Sequence, residues 1–111
     1  IINFEALNVY KSMIKKMRAH GLEPIATLHH FTLPKWLADK GGLLADDFVE
    51  SFSIYTEQTV KFLSEGNDGV KYWITFNEPN VLVQAGYIKA EWPPGKKDDM
   101  EGALKATAQI I

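Results

Sequence analysis

The sequence predicts an α/β fold in which two parallel strands are flanked by three helices. Three segments carry apolar residues at the spacing of a helix, and two short runs rich in apolar, β-branched and aromatic residues lie between them. This alternating order implies parallel strands joined by right-handed crossovers. Because a two-stranded parallel sheet cannot cover its own edges, the chain is predicted to be an interior slice of a larger α/β sheet or barrel.

The first half of the chain contains a predicted helix, a strand and a loop. Across residues 3–20, apolar side chains (Phe4, Leu7, Ile14 and Met17) fall near one helical face and basic side chains (Lys11, Lys15 and Arg18) on the other. Gly21 is the predicted end of this helix. The run EPIATLHH follows, with Pro24 near its start, and is predicted to form a short buried strand. The loop FTLPKWLADKGGLL follows, with a predicted turn of helix that starts at Pro34.

The second half contains two further helices around a second strand. Asp46 or Asp47 is predicted to cap the second long helix. Its predicted inner stripe consists of Phe48, Phe52, Tyr55, Thr59 and Phe62. In the run VKYWITF, the residues that would point to either face of a strand are apolar or aromatic, apart from the lysine. This is typical of a strand covered on both faces. After EWPPG, Asp98 with Glu101 three residues later predicts a capping box for the last helix.

The composition limits the classes of partner and location. The 111 residues are 46% hydrophobic and carry a net charge of −2, so neither nucleic acid nor an anionic membrane is favoured as a partner. The lack of cysteine excludes disulfides and thiolate metal sites and favours a reducing compartment such as the cytoplasm. No apolar run approaches the roughly 20 residues that span a bilayer. The chain begins IINFEA and stops at AQII inside an apolar helical pattern, so we interpret both ends as cuts in a longer chain.

Polar side chains follow both predicted strands. The first strand ends at His29 and His30, and the second ends at Asn77 and Glu78. In parallel α/β sheets and barrels, the chemistry lies at the carboxyl ends of the strands. Pro79 has no N–H for a sheet ladder, and the chain has to bulge or turn there for both Asn77 and Glu78 to reach one ligand. The alternative interpretation is a simple Asn-Glu-Pro turn with a solvated carboxylate.

Three motifs give the sequence a resemblance to a known family. The segments ATLHHFTLPKWL, TFNEPN and AGYIKAEWPPG, in this order, resemble glycoside hydrolase family 1, the β-glucosidases and related β-glycosidases. The resemblance covers the whole chain and implies a partial (β/α)8 TIM barrel, with residues 1–111 as a fragment of a single TIM-barrel glycosidase domain. It also implies hydrolysis of a β-linked glycoside with retention, through two carboxylates and without a metal or organic cofactor.

The resemblance implies roles for four residues. Glu78 matches the family's general acid and base, whose carboxyl group has to be protonated in the first step; burial and a nearby like charge favour that state. Asn77 matches the residue that binds the 2-hydroxyl of the sugar, and His30 matches a sugar-binding histidine. Trp92, in the loop after the second strand, is a candidate contact for the aglycone. On pattern alone, His30 also fits a hydrogen-bonded strand-end histidine without a ligand, and His29 is expected to be structural.

The sequence departs from the family pattern in two ways. Phe31 replaces the family's usual tryptophan and has no indole N–H for a sugar hydroxyl, so it is left out of the predicted site. The family's nucleophile, a glutamate in a Thr-Glu-Asn-Gly-type motif, has no counterpart, and 111 residues are less than half of the roughly 250 in a barrel. Three hypotheses remain: a piece of a retaining β-glycosidase, an inactive fragment that binds sugar weakly or self-associates through exposed strand edges, and a non-catalytic α/β scaffold.

Overall fold

The computed structural model of the chain describes residues 2–111, which divide into two compact units. The first unit runs to Leu28 and resumes over Phe52–Thr75, and the second comprises His29–Ser51 and Phe76–Ile111. The elements in chain order are α1 Phe4–Ala19, β1 Ile25–His29, α2 Lys35–Asp39, a 3₁₀ turn Gly42–Leu44, α3 Phe48–Leu63, β2 Tyr72–Phe76, α4 Pro79–Val83 and α5 Met100–Ile110. Helix α4 continues directly into a π-helical turn, Gln84–Ile88.

This architecture confirms the predicted fold class. The long helices α1, α3 and α5 and both strands occupy the predicted segments, and the strands pair in parallel. Helix α2 is the predicted turn of helix after Pro34, and the predicted stripe of α3 is buried or half-buried along its length. The helical segment 79–88 was not predicted, because it is too short to show a helical period. None of the helices within residues 2–111 is long and apolar enough to cross a membrane.

The first unit has its core between α1, the end of α3 and the segment before β2. Leu7 and Ile14 of α1 are buried in one cluster with Leu63 and Val70. Leu7 and Ile14 lie two helical turns apart on one side of α1, so the amphipathic pattern places this part of the stripe in the core as predicted. Asn3 caps the helix, and its side-chain oxygen accepts the N–H of Ala6 at 3.0 Å.

Other residues of α1 differ from the sequence-based expectation. Phe4 and Met17 were expected on the apolar face, but they remain 48% and 39% exposed. Arg18 was expected on the solvent face, but its guanidinium pairs with Glu23 at 2.5 Å and donates to the Gly69 carbonyl at 2.8 Å. Arg18 therefore fixes the end of α1 to the turn that precedes β2.

The second unit has a core of its own. Phe48 and Tyr87 are the largest fully buried side chains among the described residues, and both belong to this unit. Smaller buried apolar side chains come from α2, the 3₁₀ turn, α4 and α5: Leu37, Leu43, Leu82, Val83, Ala103 and Ala106. The short helices α2 and α4 are therefore stabilised by tertiary burial more than by their own length.

The cap of α5 lies one residue later than predicted. Asp99 caps this helix, and its Oδ1 accepts the N–H of Gly102 at 2.8 Å. The predicted cap Asp98 is wrong, because Asp98 adopts φ 53° and donates its own N–H to the Ile88 carbonyl at 3.0 Å. The backbone of the preceding loop thus decides which aspartate reaches the helix end.

The strands leave one face open within the described part of the chain. Tyr72 and Ile74, at alternate positions of β2, are 57% and 46% exposed, and Ile25 of β1 is 63% exposed. On the opposite parity, Trp73 packs against the core cluster of the first unit. The expectation that β2 is covered on both faces is wrong for this chain, because residues 2–111 provide no second layer over Tyr72 and Ile74.

We expect Asp99→Ala to lower the free energy of unfolding by about 0.5–2 kcal/mol, because the Gly102 N–H loses its acceptor. Chemical denaturation followed by circular dichroism measures the change. Asp99→Asn is the matched control, since its amide oxygen can still accept this hydrogen bond. Equal losses in the two variants would contradict the capping role.

The open strand face predicts that the isolated 111-residue chain associates with itself. We expect concentration-dependent oligomers in velocity sedimentation and binding of a hydrophobic dye, because exposed apolar side chains and unpaired strand edges can pair with another copy. Ile74→Thr keeps the β-branch but removes apolar surface, so it should reduce both signals. Val9→Thr, at an exposed position of α1, is the matched control. A chain that is monomeric at every concentration would refute this prediction.

Candidate active site

The carboxyl ends of the two strands lie side by side. Strand β1 ends at His29 and β2 ends at Phe76. One residue further on, the backbone N–H of Asn77 donates to the His29 carbonyl at 2.9 Å. This bond continues the strand pairing, so the segments that begin with His30 and Asn77 start next to each other. The structure therefore brings together the two strand ends that the sequence singled out.

Glu78 lies at a sharp turn between β2 and α4. Its backbone is left-handed, with φ 43° and ψ 59°, a conformation that costs a non-glycine residue about 1–2 kcal/mol. The Glu78 carbonyl accepts the N–H groups of Val81 and Leu82 at 3.0 and 3.1 Å, so the first turn of α4 stabilises this conformation. Strained residues of this kind cluster at functional sites. The turn predicted at Asn77 and Glu78 is present.

The side chain of Glu78 is not used to build the helix that follows it. Glu78 occupies the N-cap position of α4, yet its carboxylate makes no capping hydrogen bond to that helix. Pro79, the first residue of α4, has no N–H to offer it. The residue is exposed, so the described part of the chain leaves its carboxylate accessible and provides no burial for it.

Aromatic packing supports the strand ends. The Phe76 ring lies 4.6 Å from the His29 ring and 6.5 Å from the Phe48 ring, measured between centroids. Phe48 is fully buried at the start of α3. Asn77 is half-buried and follows Phe76 directly, so its position is fixed by this packing and by its hydrogen bond to His29.

His30, Phe31 and Trp92 form a row of aromatic rings. The His30 and Phe31 rings lie 4.9 Å apart at 82°, and the Phe31 and Trp92 rings lie 4.8 Å apart at 60°. His30 is exposed, whereas Phe31 and Trp92 are half-buried. Phe31 thus connects two of the predicted site residues, although it was not predicted as part of the site, because its side chain has no polar group. Its place directly after a strand-end histidine is the signal that could have included it.

His29 has a different environment from its neighbour. It is 5% exposed, its ring packs on Phe76, and neither ring nitrogen has a hydrogen-bond partner within residues 2–111. Burial lowers the pKa of the His29 imidazole from its usual 6.5 and outweighs an opposing interaction with its own backbone; the charge of His30 acts in the same direction as burial. A neutral, packed ring agrees with the structural role expected for His29.

Comparison with known proteins identifies the family. All of residues 1–111 match the sequence model of glycosyl hydrolase family 1. The chain belongs to glycosyl hydrolase family 1. The human cytosolic beta-glucosidase is 37% identical over 110 residues, which are 99% of this chain and 23% of that protein. The aryl-phospho-beta-D-glucosidase of Bacillus subtilis is 39% identical over 98 residues, which are 87% of this chain and 20% of that protein.

Solved structures of glycosyl hydrolase family 1 proteins share the fold of this chain. A beta-glycosidase from Pyrococcus horikoshii matches with a TM-score of 0.88 and 35% identity, over 99% of this chain and 25% of that one. The beta-glucosidase of Thermotoga maritima matches with a TM-score of 0.90 and 29% identity, over 99% of this chain and 24% of that one. These structures are TIM barrels, so the present strands and helices form part of such a barrel. The chain spans about a quarter of the length of these family 1 relatives.

The buried, neutral His29 predicts a loss of stability in mild acid. Because the pKa of His29 is lowered in the folded chain, the unfolded chain binds more protons below about pH 6.5, and stability falls as the pH falls through that range. Above that range the contribution is fully present. Urea unfolding at a series of pH values from about 7 to about 5 measures the effect. His29→Phe keeps a ring against Phe76 and should flatten the dependence.

The exposed histidine His20 provides the matched control for this measurement, as His20→Gln removes a ring without touching the strand ends. If His29→Phe loses stability with falling pH as steeply as the wild type, the assignment to His29 is wrong.

Proposed function

We propose that residues 1–111 form the acid/base segment of a retaining β-glycosidase, in which Glu78 acts on a β-linked glycoside. The observation that carries this proposal is the position of Glu78, an exposed residue at a left-handed turn that follows a parallel strand, with a carboxylate that does not cap α4. Catalytic groups of TIM barrels come from the carboxyl ends of strands. Membership of glycosyl hydrolase family 1 supports the class of reaction.

In the proposed reaction, Glu78 is first an acid and then a base. Its carboxyl group donates a proton to the glycosidic oxygen as the bond from that oxygen to the anomeric carbon breaks. A second carboxylate, about 5–5.5 Å away in retaining enzymes, attacks the anomeric carbon and forms a covalent glycosyl intermediate. Glu78, now ionised, takes a proton from water as the water displaces that carboxylate. Two carboxylates suffice for both steps, so the scheme requires no metal or organic cofactor.

We expect the second carboxylate to lie outside these 111 residues. The sequence contains no Thr-Glu-Asn-Gly-type motif. Glu50 and Glu57 lie on α3, and Glu91 is exposed in the loop after the π-helical turn. We therefore assign hydrolysis to a complete barrel that carries this segment, and we expect the isolated chain to hydrolyse glycosides very slowly or not at all.

Three further residues are proposed to bind the substrate. Asn77, next to Glu78, is proposed to contact the 2-hydroxyl of the sugar, because this hydrogen bond strengthens toward the transition state. His30, exposed at the end of β1, is proposed to bind a sugar hydroxyl through its imidazole. Trp92 is proposed to pack against the aglycone, since its half-buried indole remains partly accessible and an aromatic face suits stacking on a ring.

A second candidate is a catalytically inactive barrel fragment that binds sugar weakly or self-associates. The exposure of Tyr72 and Ile74 on β2 favours association, and the missing nucleophile motif favours inactivity. In either case we interpret residues 1–111 as part of one TIM-barrel glycosidase domain. We also propose a cytoplasmic location, supported by the cysteine-free sequence and by the human relative, which is named a cytosolic beta-glucosidase.

In a complete barrel that carries this segment, Glu78→Gln should slow alkyl β-glycosides far more than dinitrophenyl β-glycosides. Proton transfer from a positioned acid accelerates a reaction by about 10²–10⁴-fold. A dinitrophenyl leaving group departs without a proton, so the rate of hydrolysis of its glycoside falls less when the acid is removed. Measurement of kcat/KM for the two substrate classes tests this expectation. Added azide should partly restore turnover of the activated substrate by attacking the glycosyl intermediate.

Glu91→Gln is the matched control for Glu78→Gln, because it removes an exposed carboxylate from the neighbouring loop. It should not separate the two substrate classes. Equal losses for alkyl and dinitrophenyl glycosides in Glu78→Gln would count against an acid/base role.

A further inference from the structure

We infer that Phe31 and Gly86 are positioning residues for the Trp92 indole: Phe31 through contact with its ring, and Gly86 through the backbone that directly follows Trp92. The inference rests on the proposed function for its consequence in catalysis, but the positioning itself can be measured without turnover. Neither residue carries a group that could act on the substrate as acid, base or nucleophile. Gly86 would act through the loop that carries Trp92, which we define as Glu91–Gly95, and Phe31 would act on the Trp92 ring itself.

Phe31 contacts the Trp92 ring directly. The ring centroids lie 4.8 Å apart at an angle of 60°, and the Phe31 ring also meets the His30 ring at 4.9 Å. Phe31 adopts φ 68°, a left-handed conformation that disfavours a side chain unless its surroundings hold it. The backbone at this position therefore directs the ring toward the loop at the expense of local strain.

The loop that carries Trp92 is held by the π-helical turn Gln84–Ile88. In this turn the Lys89 N–H bonds to the Gln84 carbonyl, five residues back, at 2.9 Å. The next four carbonyls, those of residues 85–88, all accept N–H groups from the chain that follows the turn. The N–H groups of Glu91 and Trp92 both reach the Ala85 carbonyl, at 2.9 and 3.2 Å.

The remaining three carbonyls hold the chain just beyond this loop, at residues 96–99. The N–H of Lys96 donates to Gly86 at 2.8 Å, that of Asp98 to Ile88 at 3.0 Å, and that of Asp99 to Tyr87 at 2.8 Å: these bonds run over consecutive residues of the turn. An α-helix would use these carbonyls for its own next turn. Because the π-helical turn ends the helix here, the chain folds back along the turn and is fixed before and after Pro93 and Pro94, at residues 91–92 and at residues 96–99.

Gly86 allows this close approach. A Cβ atom at Gly86 would lie 2.9 Å from the Pro93 carbonyl oxygen and 3.1 Å from Cδ of Pro94. Side-chain carbons do not approach backbone oxygen so closely, so Gly86→Ala has to displace the residues that directly follow Trp92. The glycine is required here for space.

These contacts predict that the indole is held in one orientation before any ligand arrives. A rigid aromatic surface binds a planar ring without the cost of ordering its own side chain first. Phe31 and Gly86 should therefore affect glycosides with a ring aglycone more than glycosides with a methyl aglycone. A purely structural role in the fold would affect both classes alike.

The test uses a complete barrel that carries this segment, labelled with 5-fluorotryptophan. The ¹⁹F resonance of Trp92 is the one that disappears in Trp92→Phe. In Phe31→Leu and in Gly86→Ala we expect this resonance to shift and broaden, and in Phe31→Tyr we expect it to stay, because the ring contact is preserved. Phe4→Leu, which removes a ring from the Phe4 and Phe62 pair at 5.4 Å, is the matched control.

A Trp92 resonance that is unchanged in Phe31→Leu and in Gly86→Ala would overturn the inference. If Phe31→Leu fails to fold, Gly86→Ala still tests the inference, because it leaves every aromatic side chain in place.

The kinetic measurement separates this inference from the proposed function. For a phenyl β-glycoside, we expect Phe31→Leu and Gly86→Ala to raise KM by about two- to tenfold with little change in kcat, the range that an aromatic pair contributes. The loss should be smaller for a methyl β-glycoside, and Phe31→Tyr should restore KM. Equal losses for both glycosides would overturn the effect on the aglycone. A wild type without turnover, but with the expected ¹⁹F changes, would reject the proposed function and support the positioning role.

Discussion

The hydrogen bond from the Asn77 N–H to the His29 carbonyl is the contact on which the candidate site depends. It extends the parallel pairing by one residue beyond β2, so both strands stop at the same level. The Phe76 ring then packs on His29 at 4.6 Å and on Phe48 at 6.5 Å, which anchors the same two backbone segments through buried aromatic surface. Because both segments start from this anchored point, the residues that follow it, His30 and Glu78, continue from fixed backbone positions.

Backbone strain follows directly after this pairing on both strands. Glu78 and Phe31 are both left-handed, with φ 43° and φ 68°, although glycine would adopt this conformation without cost. At about 1–2 kcal/mol each, two such residues oppose folding by an amount that is large against the usual 5–15 kcal/mol of a domain. The proposed roles account for a side chain at both positions: the acid/base role requires the carboxylate of Glu78, and the positioning of Trp92 requires the ring of Phe31.

The helical segment after Glu78 fixes the loop that follows it. Helix α4 starts at Pro79 and passes into the π-helical turn, whose carbonyls bind the following chain. Gly86 provides the space in which Pro93 and Pro94 cross the turn. Irregular helical turns of this kind occur frequently at functional sites, and here the irregularity supplies acceptors that a regular helix would have used itself.

The sequence by itself determined the order of the elements, the two strand ends and the candidates His30, Asn77 and Glu78. These are local properties: periodicity marks helices and strands, and a proline without an N–H marks where pairing stops. The motifs also indicated the family that the comparison then confirmed. The tertiary structure alone decided that Phe31 joins His30 to Trp92, that Asp99 caps α5, and that one face of β2 is open. Each of these depends on backbone angles or on contacts between residues distant in the chain, and no local pattern of side chains encodes them.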